Sequence, residues 1–182
     1  MSDQSGPWLT DRQQATWQRF LLTTHLLDEA LDRQVLRDAG LPHTHYGILV
    51  TLSASPDRRM RMSDLARTLR HSPSRTTHAV ASLERSRWVR REPCTDDRRS
   101  TWAVLTDDGA AMLERTAPGH VAEVRTRLFD RLSDEQVDQL AAICDILLAG
   151  LDPVPADPRA HVASAPAGPT DPPPVADRLD VA

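Results

Sequence analysis

Apolar residues recur along this chain at spacings of three and four, the period of an amphipathic helix. Between residues 12 and 37, Trp17, Phe20, Leu21, Leu27, Leu31 and Val35 fall on one stripe and predict a long first helix. Ala39-Gly40 marks a turn, and Pro42 suits the first turn of a second helix that reaches about Ser53. Ser55-Pro56-Asp57 breaks it. Ser63 is expected to cap a short third helix that turns Leu65, Ala66 and Leu69 inward. Ser72-Pro73 opens a fourth, with serine at the cap and proline at the first helical position. From Val89 to Leu105 the pattern is strand-like, and Pro93 with Asp96-Asp97-Arg98-Arg99 marks its turn. Thr106 caps a fifth helix and sets Asp107 and Asp108 in its first turn, where the helix dipole favours anions. Pro118-Gly119 predicts a kink or break in that helix, because proline removes a backbone hydrogen bond. Ser133 and Gln136 form a capping box for a sixth helix. Its stripe of Val137, Leu140, Ala141, Cys144, Leu147, Leu148 and Leu151 is unbroken.

A short helix, a turn, a capped helix and a basic hairpin, in that order, describe a winged helix-turn-helix. The expected fold is mainly α with a small β-hairpin wing: a winged helix-turn-helix plus a helical dimerisation lobe. Residues 1–151 read as a single domain, with the winged helix-turn-helix over 42–105 and dimerisation helices over 12–37 and 120–151. The apolar faces of the first and sixth helices exceed what a lone lobe of this size covers, which predicts a homodimer. Beyond Leu151 the text changes. Residues 152–182 carry eight of the fourteen prolines and no aromatic residue, the composition of a disordered tail.

Composition narrows the class further. The chain has 182 residues, 40% of them hydrophobic, enough for a core. No apolar run approaches the roughly 18 residues of a membrane span, so no membrane partner is expected. The start, MSDQSGPWLTDRQQ, has neither a basic flank nor an apolar segment, and Cys94 and Cys144 have no motif spacing. A reducing cytoplasm is the expected setting. Net charge is −4, which argues against a nucleic-acid protein until its distribution is considered. Residues 58–102 hold twelve arginines against five acids, a block of +7 in a chain whose remainder is −11. Such a block is an electrostatic footprint for a polyanion. Every one of the 22 basic residues is arginine, so part of that abundance reflects coding bias.

The helix Pro73–Arg85 sorts this charge by face. At 100° per residue Thr76, Val80 and Leu83 point one way, into the preceding helices. Ser74, Arg75, His78, Ser82 and Arg85 point the other way, with Thr77 at the flank. Arginine reads guanine bidentately in the major groove, and small hydroxyls reach phosphates, so these six are the candidate DNA-contacting residues.

The stretch MRMSDLARTLRHSPSRTTHAVASLERSRWVRREPCTDDRRSTWAVLTDDG resembles the core of the multiple-antibiotic-resistance regulator (MarR) family. Asp97-x-Arg99 matches that family's D-x-R wing motif, and Leu105-Thr106-Asp107-Asp108-Gly109 matches its L-T-x-x-G strand end. The layout extends the resemblance from about Asp11 to Leu151. The resemblance implies a triangular dimer interlocked by its first, fifth and sixth helices, with each wing on the minor groove. It implies that Arg99, beside Arg98, enters that groove while Asp97 holds an arginine in position. A guanidinium–carboxylate pair has the defined geometry for this, and a narrow minor groove attracts arginine. Many relatives carry glycine after the recognition helix where this chain has Arg87; a left-handed backbone there costs a non-glycine roughly 1 kcal/mol.

The family also implies a small, often phenolic or anionic effector held between the dimer helices and the DNA-binding lobe. Trp17, His25, His43 and Tyr46 are the candidates to line its pocket. The competing reading makes Trp17 and Tyr46 core residues with a satisfied polar tip. His43-x-His45 and His120 near Glu123 fall short of the three or four converging ligands zinc needs, and no cofactor is expected. Cys94, among Arg90, Arg91, Arg98 and Arg99, is a candidate activated thiol, whereas Cys144 reads as a small hydrophobe. No G-x-S-x-G, phosphate-cradling glycine loop or H-E-x-x-H occurs, so catalysis is not expected. Two functions remain: a ligand-responsive transcription regulator, with double-stranded DNA and a second copy of itself as partners, and a winged-helix protein-interaction module without DNA binding.

Overall fold

The computed structural model describes residues 8–94 and 100–151. The wing tip with Asp97, Arg98 and Arg99, and the stretch 152–182, lie outside these residues. Among them six α-helices and three strands follow in the order α1 (Asp11–Ala39), α2 (His43–Ser53), β1 (Arg59–Arg61), α3 (Met62–Thr68), α4 (Pro73–Arg85), β2 (Val89–Pro93), β3 (Thr101–Leu105), α5 (Asp107–Arg127) and α6 (Asp134–Leu151). The predicted fold class is the observed one: a mainly helical chain with a small antiparallel sheet.

Local chemistry explains the helix ends. Thr10 and Gln13 form a reciprocal capping box at the start of α1, and Gly40 closes it in a left-handed conformation, φ 67°, donating to the Leu36 carbonyl at 3.0 Å. Ser72 Oγ accepts the Arg75 N–H at 3.2 Å at the start of α4, and the Ser133–Gln136 box opens α6 as expected. Two details differ from the sequence reading. Ser63 is not the cap of α3 but lies inside its first turn, because the strand β1 runs directly into the helix and leaves Arg61 at the cap without a side-chain bond. Pro42 stands at the cap of α2 rather than within it, and Asp32 on α1 accepts the His43 N–H at 2.8 Å.

The sheet holds a strand that the hydrophobic pattern did not reveal. β1, β3 and β2 lie side by side in that order, all antiparallel, with Arg61 opposite Trp102 and Glu92 opposite Trp102 on the other edge. Three residues with two arginines carry no alternation, so β1 exists only because β3 offers its free edge.

Helix α2 is the hub, touching α1, α4, α5 and the sheet. Its Ile48, Leu49 and Leu52 are fully buried with Leu65 of α3, Val80 and Leu83 of α4, and Val89 of β2. Each such side chain contributes roughly 1.5–3 kcal/mol. Helix α5 adds Met112 and Leu113 to this core and then runs along α1. Pro118 does not break it; α5 is continuous through Arg127. The proline forfeits one backbone bond, but packing before and after it holds the helix, and Gly119 admits Asp38 of α1. A Cβ at Gly119 would stand 2.6 Å from Asp38 Oδ2.

Helix α6 has no buried residue in a single chain. Ile143, Ile146, Leu147, Leu148 and Leu151 are exposed, and so are Trp17, Phe20, Leu21, Leu22 and Leu26 of α1. Cys144 is exposed with them. No helix among the described residues is long and apolar enough to cross a membrane.

Candidate nucleic-acid interface

The faces of α4 are those the sequence implies. Thr76 and Val80 are fully buried, Leu83 nearly so, and Ala79 joins them. Ser74, Arg75, Thr77, His78 and Arg85 are exposed, and Ser82 is half-buried at the margin. The helix is held from behind by α3, α2 and β2, so its outer face is presented on a rigid support. Two histidines flank the N-terminal end of this face. Burial, and then the charge of Arg75, lower the pKa of both His45 and His71.

The recognition helix is joined to the wing by two devices. Glu84 takes both Nε and Nη2 of Arg91 on its Oε2 at 2.9 and 2.7 Å, and its Oε1 lies 3.3 Å from the Arg91 backbone N–H. The Arg91 side-chain bond, against the opposing effect of burial, holds the Glu84 pKa below the usual carboxylate value. The second device is the LTDDG motif. Thr106 Oγ1 donates to the Arg87 carbonyl at 2.7 Å, Thr106 N–H donates to Trp88 at 3.1 Å, and Gly109 N–H returns to Thr106 Oγ1 at 3.0 Å. The motif thus clasps the start of α5 to the turn after α4. Arg87 sits in that turn at φ 63°, the left-handed conformation its place in the family pattern implies.

Two arginines of the basic block also converge on one ring. Arg59 and Arg61 of β1 lie over the Trp102 ring, at 4.9 and 5.4 Å from its centroid. Between α3, α4 and the sheet opens a cavity of about 300 Å³ lined by Arg61, Met62, Ser63, Thr77, Arg91, Ser100 and Thr101. Thr77 connects this cavity to the exposed face of α4.

The four candidate effector residues separate. His43 and Tyr46 stack at 6.4 Å, and His120 from α5 joins them at 5.3 and 4.9 Å. His120 Nδ1 lies 3.2 Å from Gln34 Oε1, whose amide donates to Asp38 at 2.6 Å, and His43 Nδ1 lies 3.6 Å from Asp28. Burial, and then His43, lower the His120 pKa, and burial raises that of Tyr46. Trp17 and His25 do not join this cluster within one chain. Trp17 lies 17 residues from Gln34, roughly 25 Å along α1, and stacks on Phe20; His25 pairs with Glu29. Within one chain Tyr46 is buried, 4% exposed, whereas Trp17 is 47% exposed on the stretch of α1 that a single chain leaves uncovered. His120 and Gln34 were missed, since nothing local links residues 86 positions apart. His45 is not among the stacked rings of this cluster and instead feels the charge of Arg75. Cys94 is buried, which removes the exposure an activated thiol requires.

A family model described as the MarR family matches residues 39–100. The regulator PecS of Dickeya dadantii is 32% identical over 119 residues, 65% of this chain and 70% of its own length. Among solved structures, Sco3205 of Streptomyces coelicolor, a MarR family transcriptional regulator in complex with DNA, is 50% identical. It aligns over 81% of this chain and 96% of its own, with a TM-score of 0.78. AbsC of the same organism, also a MarR family regulator, is 40% identical over 79% of this chain and 97% of its own, with a TM-score of 0.75. With such matches spanning the helices, the recognition face and the wing strands, this chain belongs to the MarR family of transcriptional regulators.

Proposed function

We propose that this protein is a DNA-binding repressor that occupies a pseudo-palindromic operator as a homodimer and responds to a small molecule. The observation that carries it is the sorted face of α4: Ser74, Arg75, Thr77, His78 and Arg85 exposed together, opposite a fully buried Thr76 and Val80. In this reading α4 enters the major groove with Ser82 at its edge, and Asp97, Arg98 and Arg99 serve the minor groove through the wing motif. The uncovered apolar faces of α1 and α6 support dimerisation, and the 50% identity to a relative solved with DNA supports the nucleic-acid partner. The domain spans 1–151, the stretch 152–182 is dispensable, and the protein acts in the cytoplasm as a binding protein rather than a catalyst. The effector is assigned to the junction of α1, α2 and α5, at His43 and Tyr46 with His120.

Selection from random DNA should return a symmetric site with half-sites about one helical turn apart. On that site Arg75→Ala should weaken binding by roughly 1–3 kcal/mol and relax the preference at one base pair per half-site. A chain ending at Leu151 should bind it equally well. Recovery of no symmetric site would remove the reading and leave the protein-interaction module in its place.

A further inference from the structure

Acids divide the arginines of the basic block into two groups. Among the described residues Arg58, Arg59, Arg67, Arg90 and Arg91 each hold an acid, whereas Arg75 and Arg85 on the outer face of α4 hold none. The first four of those pairs are single contacts. Arg91 is held more firmly: two side-chain nitrogens and its own backbone N–H all meet the Glu84 carboxylate. Glu84 follows Thr77 by two helical turns and so lies on the flank of α4 that borders the reading face. A carboxylate there repels the phosphates of a bound duplex, and the arginine in its grip offsets that charge. The bond also lowers the Glu84 pKa, so the acid stays charged at neutral pH. Glu84 is 35% and Arg91 38% exposed, so solvent already reaches both, and Arg91 would be mobile once released.

We propose that Glu84 is a specificity-determining residue that keeps Arg91 off the DNA backbone. Sequence-independent affinity comes from cations that neutralise phosphates, and it rises with each cation offered. An unclamped arginine on the strand beside the recognition helix would find a phosphate on any sequence. Clamped by Glu84 it adds nothing to that background, and the choice of site is left to the outer face of α4. The same clamp ties the last turn of α4 to the first wing strand. The selected complex needs helix and wing in one register, and a loosened joint must be ordered again on binding. The loose, sequence-independent complex needs no such register. Holding back a cation and holding a joint therefore both widen the gap between the right duplex and a wrong one. Glu84 acts through Arg91 and touches no base, so it is a positioning residue, and its role rests on the DNA-binding reading above.

Binding of the full-length chain to two duplexes tests this. One is selected by the unaltered protein from random sequence, and the other has the same length and composition in scrambled order. Glu84→Gln keeps the shape and removes the charge. It should tighten binding to the scrambled duplex about threefold and steepen its slope of log affinity against log salt by about one. Binding to the selected duplex should weaken about threefold, so the ratio of the two affinities falls about tenfold. Adding Arg91→Gln removes the released cation and should return the scrambled-duplex slope to that of the unaltered chain. A slope below the unaltered one in this double variant would show that Arg91 already touches phosphate, and would overturn the proposal. Glu92→Gln removes the same charge from β2 without touching the joint; it should raise both affinities alike and keep their ratio. An equal fall of the ratio in Glu92→Gln would mean that charge acts regardless of place, and the proposal would fail. It fails too if Glu84→Gln lowers both affinities together with the slope unmoved, the mark of a purely structural tie. Circular dichroism checks folding. Should Glu84→Gln not fold, Glu84→Asp carries the test: it keeps the charge, is too short to hold the same fork and should lower the ratio, and an unchanged ratio there overturns the proposal. An unaltered chain that prefers no duplex defeats the regulator reading and this proposal together. A preference that survives Glu84→Gln unchanged defeats the proposal alone.

Discussion

At Gly109 the absence of a side chain decides how the recognition helix meets the rest of the domain. A Cβ there would fall inside the contact surface of the Trp88 carbonyl oxygen and 2.8 Å from Leu105 Cδ1. The obstacle is backbone, and that same carbonyl accepts the Thr106 N–H, so it has nowhere to retreat. Gly109→Ala should therefore destabilise the fold by roughly 1–3 kcal/mol, the cost of overpacking, despite alanine's better helix propensity. Urea denaturation reads this directly; an unchanged midpoint would mean that the clasp between α5 and the α4 turn is loose. The motif L-T-D-D-G was legible in the sequence as a strand end and a helix cap. Its further purpose, bonding to the carbonyls of Arg87 and Trp88, was not, because those partners lie about twenty residues upstream and are backbone atoms that any residue would supply.

Elements tell the same story at longer range. Every α-helix was legible from its apolar period, the caps of α4, α5 and α6 were legible too while those of α2 and α3 were not, and α4 was legible in the orientation of its faces. β1 was not, since a three-residue arginine-rich strand depends on its neighbour for existence. Pro118 does not break α5, because a local penalty of about 3 kcal/mol is outweighed by packing along the helix. Helix α6 shows an apolar stripe in the sequence and no buried residue in one chain. If a second copy covers it, Ile146→Asp, at a position 74% exposed in the single chain, should shift the protein from dimer to monomer at micromolar concentration. Sedimentation velocity measures this. A variant that keeps the unaltered sedimentation coefficient would show that α6 lies outside the dimer contact.

At the scale of the molecule, three histidines among the described residues carry pKa values lowered by burial: His45 and His71 near the recognition helix, and His120 at the α1–α2–α5 junction. For each, the unfolded chain takes up its proton first as pH falls through the ordinary value near 6.5, so the unfolded state binds more protons than the native one. Stability should accordingly fall between pH 7.5 and 5.5, and scanning calorimetry across that range should show a decreasing Tm. A rising Tm on acidification would contradict the sign. None of these environments was visible in the chain, although His43, Tyr46 and the charge block were each singled out. Helical period, caps and the polarity of α4 depend on residues three or four apart, whose geometry a helix imposes, so they could be read along the chain. Which histidines meet, which arginines line a cavity and which glutamate steadies one of them depend on residues brought together from different elements. Those meetings are set by how the core packs, and no local spacing encodes them.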